Sequence, residues 1–154
     1  MMRALSIYAV VSVLAASGCA QPKELKIDGP VIRLSANPKA PAAGYFTLKG
    51  GLTADRLLSV TSPIVIRIEM HQSMTSAGSS AGSSGAMTSM KLLDGGVEIP
   101  AGGTVKFSER ERHLMLYNIN PGVKTGDTVQ LNFTFASGLI LQTYAPVRAA
   151  GSLI

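Results

Sequence analysis

Tryptophan is absent from this 154-residue chain, aromatic residues make up only 5%, and there are two histidines and a single cysteine. Each shortage excludes something. With so few aromatic rings, the core must be mostly aliphatic. The lone cysteine, Cys19, lies near the N-terminus, so the domain beyond it has no thiol for nucleophilic catalysis and no Cys/His set for a blue-copper electron-transfer centre. Charged residues are 15% of the chain, and the formal charge of +5 is spread along it. No Lys/Arg cluster interleaves with aromatic side chains, which excludes a nucleic-acid surface. The basic balance reads as solubility, or weak attraction to anionic lipid or an acidic partner. The acidic residues are scattered, no G-x-S-x-G elbow occurs, and the glycines of GAMTSMKLLDGGVEIPAGGTV form turns without a phosphate-loop lysine. These absences leave little room for an enzyme.

What is present begins at the N-terminus. MMRALSIYAVVSVLAASGCAQP has a positive Arg3, an apolar run from Ala4 to Ala16, and small residues after it. That is a secretory signal over residues 1–18, too short for a membrane span. Cys19 directly follows Ala16-Ser17-Gly18, a lipobox-like setting in which the cysteine becomes the lipidated first residue. The other reading is ordinary cleavage nearby, with Cys19 removed or left as a free thiol. Both place the domain outside the cytoplasm. Residues 19–30 then form a lipidated cysteine and a polar tether, and residues 31–154 the folded domain.

From Val31 the chain divides into short β-type runs separated by turn residues. They are Val31–Ser35, Tyr45–Leu48, Arg56–Val60, Ile64–His71, 86–93, 104–107, His113–Ile119, Thr128–Phe135 and Leu139–Val147. No stretch keeps a helical period over three turns. Strands this short and regular predict an all-β Greek-key barrel or sandwich. SAGSSAGSSG, between Met74 and Met90, is a low-complexity tract that predicts a mobile loop between two strands.

The two histidines keep company with methionine. In HLM, His113 and Met115 are two apart on a predicted strand and share a face. His71 ends the run IRIEMH, Met74 follows it, and Met87 and Met90 close the Ser/Gly loop. Imidazole with thioether is a donor set for soft Cu(I), whereas zinc more often recruits cysteine or carboxylate. The competing reading is as strong on spacing alone: methionine beside a strand is usually core filler, and a lone histidine usually has a structural role.

The segments AAGYFTLKG, ADRLLSVTSP, IRIEMH, MTSMKLLDGGVEIPAGGTVKF, HLMLYNIN and GDTVQLNFTF, in that order, resemble the periplasmic copper chaperones of the PCuAC family. The resemblance runs from about Val31 to Val147, and GGVEIPAGGTV is its most recognisable phrase. It implies a cupredoxin-like β-barrel and a Cu(I) site of two histidines and two methionines. Matched residue by residue, the ligands would be His71, Met90, His113 and Met115, with Met87 and Met74 as competitors for the loop position. The Ser/Gly tract then reads as an insertion between His71 and Met90, which loop-closure entropy penalises only weakly. The resemblance further implies one Cu(I) per chain, a monomer on the periplasmic side of a membrane held by lipid on Cys19, and copper transfer with Sco-type partners toward cytochrome oxidase. No His/Met-rich C-terminal tail follows, so one site is expected. The alternative is a metal-free β-sandwich lipoprotein serving as a structural or interaction module.

Overall fold

The structure is a computed structural model that describes residues 24–76 and 87–152. The predicted signal peptide, Cys19, the first part of the tether and the Ser/Gly tract itself lie outside the described residues. Ten strands are present among those residues: β1 (Lys26–Arg33), β2 (Ala42–Lys49), β3 (Asp55–Thr61), β4 (Val65–Ser76), β5 (Met87–Leu92), β6 (Val97–Ile99), β7 (Thr104–Phe107), β8 (Arg112–Ile119), β9 (Thr128–Phe135) and β10 (Ile140–Arg148). The all-β expectation holds, and no helix occurs among the described residues.

The strands form one curled sheet in the order β5-β4-β8-β7-β2-β1-β10-β9-β3-β6, with β8 also pairing with β2. Most pairings are antiparallel; β1 joins β10 in parallel at Ile32–Val147 and Arg33–Arg148, linking the two halves of the sheet. Alternation drives the packing. In β9, Val129, Leu131, Phe133 and Phe135 point inward and are almost wholly buried, while the residues between them are polar. Leu114 and Leu116 do the same from β8, and Leu57 and Val60 from β3. The few aromatics concentrate at the centre: Phe46 stacks on Phe107 with ring centroids 4.2 Å apart, and Phe133 meets Phe46 edge-on at 4.9 Å. Each fully buried side chain of this size contributes about 1.5–3 kcal/mol.

Three boundaries differ from the sequence expectation. The first strand starts at Lys26, inside the segment read as tether, because a bulge at Gly29-Pro30 interrupts the pairing with β2 without ending it. Gly29 has φ +55°, and a Gly-Pro pair in a sequence looks like a stop. Residues 97–99, read as part of a glycine-rich turn, form β6 and pair with Asp55–Leu57. Met74–Ser76, read as loop, extend β4 and pair with the expected run at Met87–Leu92 in a β4–β5 hairpin, whose register runs unbroken from His71–Leu92 to Ser76–Met87. Main-chain hydrogen bonds supply that pairing whatever the side chains, so polar Ser and Thr do not end a strand.

Candidate metal centre

His71 therefore stands in the middle of β4, not at its end as the sequence suggested. It pairs directly with His113 of β8, and Glu69 pairs with Met115, Arg67 with Tyr117. Directly opposed residues project from the same face of a sheet. Arg67, Glu69 and His71 thus share a face with His113, Met115 and Tyr117. The core-facing residues Leu114, Leu116 and Met70 alternate with them. The histidine ring centroids are 6.2 Å apart. A metal held at ~2 Å by one nitrogen of each ring would put the centroids roughly 6.3 Å apart only with the two nitrogens on opposite sides of it, so the observed spacing matches a near-linear two-histidine arrangement.

Hydrogen bonds set the two rings in opposite senses. Nε2 of His71 lies 3.0 Å from Oε2 of Glu69. Nδ1 of His113 lies 3.2 Å from the Glu111 carbonyl oxygen. A carbonyl or ionised carboxylate oxygen only accepts, so in each case the ring nitrogen donates, and in the neutral imidazole the other nitrogen carries the lone pair. The free nitrogens are Nδ1 of His71 and Nε2 of His113. Nδ1 of His71 is buried and has no hydrogen-bond partner, the one such side-chain atom among the described residues. A buried, unpartnered lone pair is costly unless something coordinates it. A carboxylate behind the opposite nitrogen is the arrangement that orients a metal-binding imidazole.

The surroundings reinforce both rings. The Glu111 carbonyl also accepts the Ser73 amide at 3.0 Å, tying the turn before β8 to β4. That turn holds Arg110 at φ +64°, and the Ser108 hydroxyl donates to the Glu111 carboxylate at 2.6 Å. Arg67 pairs with Glu69 at 3.3 Å and covers the Tyr117 ring at 4.3 Å. The hydrogen bond from His71 is the main influence holding the Glu69 carboxyl below its usual range; burial opposes it, and Arg67 and Tyr117 add to the lowering. Burial pushes the Tyr117 phenol up, with the Glu69 charge acting in the same direction. Burial is also the main reason that His113 titrates below its ordinary value; the Glu111 hydrogen bond works against this, and the nearness of the second imidazole, His71, works with it. His113 is 6% exposed. A neutral, lone-pair-bearing imidazole is what a metal requires.

The methionines divide by register. Met115 is partly buried, two residues along β8 from His113. Met90 is on strand β5, not on a loop; it pairs with Ser73, which puts it on the His71 face, diagonal to that ring and 57% exposed. Met74, three residues along β4 from His71, projects from the opposite face, and Met87 pairs with Ser76, five rows from His71. Met115 and Met90 flank the histidine pair on opposite sides. In a flat lattice their Cα atoms would be roughly 16 Å apart, two strands across and four residues along, further than two thioethers on one ion can span. All four donors meet only if the β4–β5 hairpin bends toward β8.

Sequence reasoning named four candidate donors but assigned no role to Glu69, Arg67, Tyr117 or the Glu111 carbonyl. The E-x-H spacing on one strand face was the available signal for Glu69; the others depend on pairing between strands distant in sequence. Among the described residues no three His, Cys, Asp or Glu side chains gather as a metal would need, so a site for a hard ion has no support there.

Comparisons with known proteins agree with this architecture. The chain has the fold of the solution structure of CuI-DR1885 from Deinococcus radiodurans, with a TM-score of 0.65, 24% identity, and 90% of this chain and 87% of that one covered. It is similar in the same way to the copper-bound PCuAC domain from PmoF2, with a TM-score of 0.63, 18% identity, and 84% and 96% covered. The apo PCuAC domain from PmoF1 gives a TM-score of 0.61 at 16% identity, covering 84% and 97%. The cupredoxin-like expectation is borne out by these likenesses. No curated protein matches the chain. The LpqE-like family, whose description carries the word lipoprotein, matches residues 25–147, and the chain belongs to it.

Proposed function

We propose that this protein is an extracytoplasmic copper chaperone that binds one Cu(I) through His71, His113 and Met115, with Met90 closing the site, and hands it to partner proteins. The observation that carries this reading is the pair of facing imidazoles, each with its remaining N–H held by an oxygen acceptor and its lone pair free. Copper here is cargo. The neutral donors would leave the ion its single positive charge, and the half-open face suits one-at-a-time ligand exchange, since a charged ion is poorly tolerated in a closed apolar cavity. The copper-bound state of the PmoF2 domain and of DR1885 supports the choice of metal. The family description supports lipid attachment, which we place at Cys19 after removal of residues 1–18, holding a monomer on the outer side of the membrane. The recipients we infer are Sco-type proteins and, beyond them, the copper centre of cytochrome oxidase.

Titration with Cu(I) against a chromogenic chelator tests this. One equivalent bound tightly, and lost in the His113→Ala/Met115→Ala double variant, is the expected result; full affinity in that variant would sink the site assignment. The separation of Met90 from Met115 favours a second reading, a metal-free sandwich acting as an interaction module. Absence of any competition with the chelator would establish it.

A further inference from the structure

The two ends of the sheet are guarded differently. At one end β6 is three residues long, is followed by Pro100, and has Glu98 outward in a pair with Arg56. Short, charged, proline-flanked edges resist strand addition. At the other end β5 is six residues long, MTSMKL, with one charge and no proline.

The hydrogen-bond phase of that edge can be read from its neighbours. The Leu93 amide donates to the Met70 carbonyl, and the Ser73 amide to the Glu111 carbonyl. Even-numbered residues of β4 therefore bond to β5 and odd-numbered ones to β8. Alternation then gives Lys91 and Ser89 inward main-chain bonds, and turns the N–H and C=O groups of Thr88, Met90 and Leu92 away from β4. Among the described residues no strand pairs with these groups, and Met90 and Leu92, which carry two of the three pairs, lie on the His71 face, 57% and 45% exposed, while Lys91 projects from the opposite face. A strand added here would place a residue opposite Met90, with Cα atoms ~5.5 Å apart and side chains on the copper face.

We propose that β5 is the docking edge for the copper-exchange partner, and that the occupant is an extended segment carrying thioether donors at alternate positions. This rests on the Cu(I) reading of the His/Met cluster. Main-chain pairing supplies attachment without demanding a particular sequence, and alternate side chains supply the chemistry. The incoming thioether takes the coordination position of Met90: one Cu–S bond breaks as another forms, and copper stays Cu(I) throughout. The uncharged row of Met90 and Leu92 fits an apolar methionine strand better than an acidic or basic one.

The test uses the isotope-labelled protein, loaded with Cu(I), and a synthetic peptide alternating methionine with valine. The amides of Thr88, Met90 and Leu92 are expected to gain protection from hydrogen exchange when the peptide is added. Leu92→Pro removes an N–H that makes no internal bond, so the ladder survives. In that variant transfer to the peptide should slow by at least about tenfold while Cu(I) affinity stays within about threefold; Thr88→Pro should repeat the result if Leu92→Pro perturbs the hairpin. Copper transfer without protection of these amides, or wild-type transfer rates in both variants, overturns the proposal. Concentration-dependent dimerisation protecting the same amides without peptide would assign the edge to a second copy and also overturn it. If the protein failed to compete for Cu(I) at all, the copper reading would fall, a result read separately in the chelator assay.

Discussion

His71 and His113 face each other as a directly paired couple across β4 and β8, and their rings are bonded through opposite nitrogens, Nε2 to Glu69 and Nδ1 to Glu111. Each backing group does a distinct job. The Glu111 carbonyl is fixed by the fold, but Glu69 is a side chain that substitution can remove without touching a donor. Glu69→Gln should lower Cu(I) affinity by about 10–100-fold with the fold intact, the usual effect of losing such a backing carboxylate. Chelator competition together with circular dichroism reads both quantities. Unchanged affinity would mean that Glu69 does not orient the His71 ring.

The two methionines should not be equivalent. Met115 adjoins both histidines in register, whereas Met90 reaches only the His71 side and is 57% exposed. Met115→Ala is expected to weaken Cu(I) binding more than Met90→Ala. Met74→Ala should leave affinity unchanged, because Met74 projects from the other face. A larger loss at Met74 than at Met90 would contradict the register.

The metal-free protein should lose stability in acid partly through His113. Burial lowers its folded-state pKa below the ordinary 6.5, so below that pH the unfolded chain binds a proton that the folded chain resists. Stability from this source is complete above about 6.5 and falls as pH drops toward the folded-state pKa. Urea midpoints measured at several pH values should show the decline, and His113→Gln should reduce it.

Glycine positions separate by space alone. A Cβ on Gly50 would lie 2.2 Å from the Pro100 carbonyl oxygen, while one on Gly95 would meet nothing within 4 Å. Gly50→Ala should destabilise the protein far more than Gly95→Ala, as thermal melts would show.

In the core, Leu116 is fully buried. Leu116→Ala should cost about 2–5 kcal/mol of unfolding free energy, through lost transfer energy plus a residual cavity. Because the side chain points away from the histidines, the folded variant should keep its Cu(I) affinity.

Much of the fold was legible along the chain. Alternation in TVQLNFTF and HLMLYNI marks β9 and β8 because a strand with one buried face must repeat every two residues. The same rule put His113 and Met115 on one face. Where local signals mislead, the structure shows why. Gly29-Pro30 reads as a stop yet is a bulge within β1, and VEI, between glycines, pairs only because β3 lies beside it. Residue type and spacing were enough to set the β class and the alternating faces and to mark His113 and Met115 as candidate soft donors. Tertiary structure alone decided that His71 lies opposite His113, that Glu69 and Glu111 fix their free nitrogens, and that Met90, but not Met74, shares their face. Register between strands is set by pairing across long sequence separations, and a shift of one residue would send every donor to the other side of the sheet.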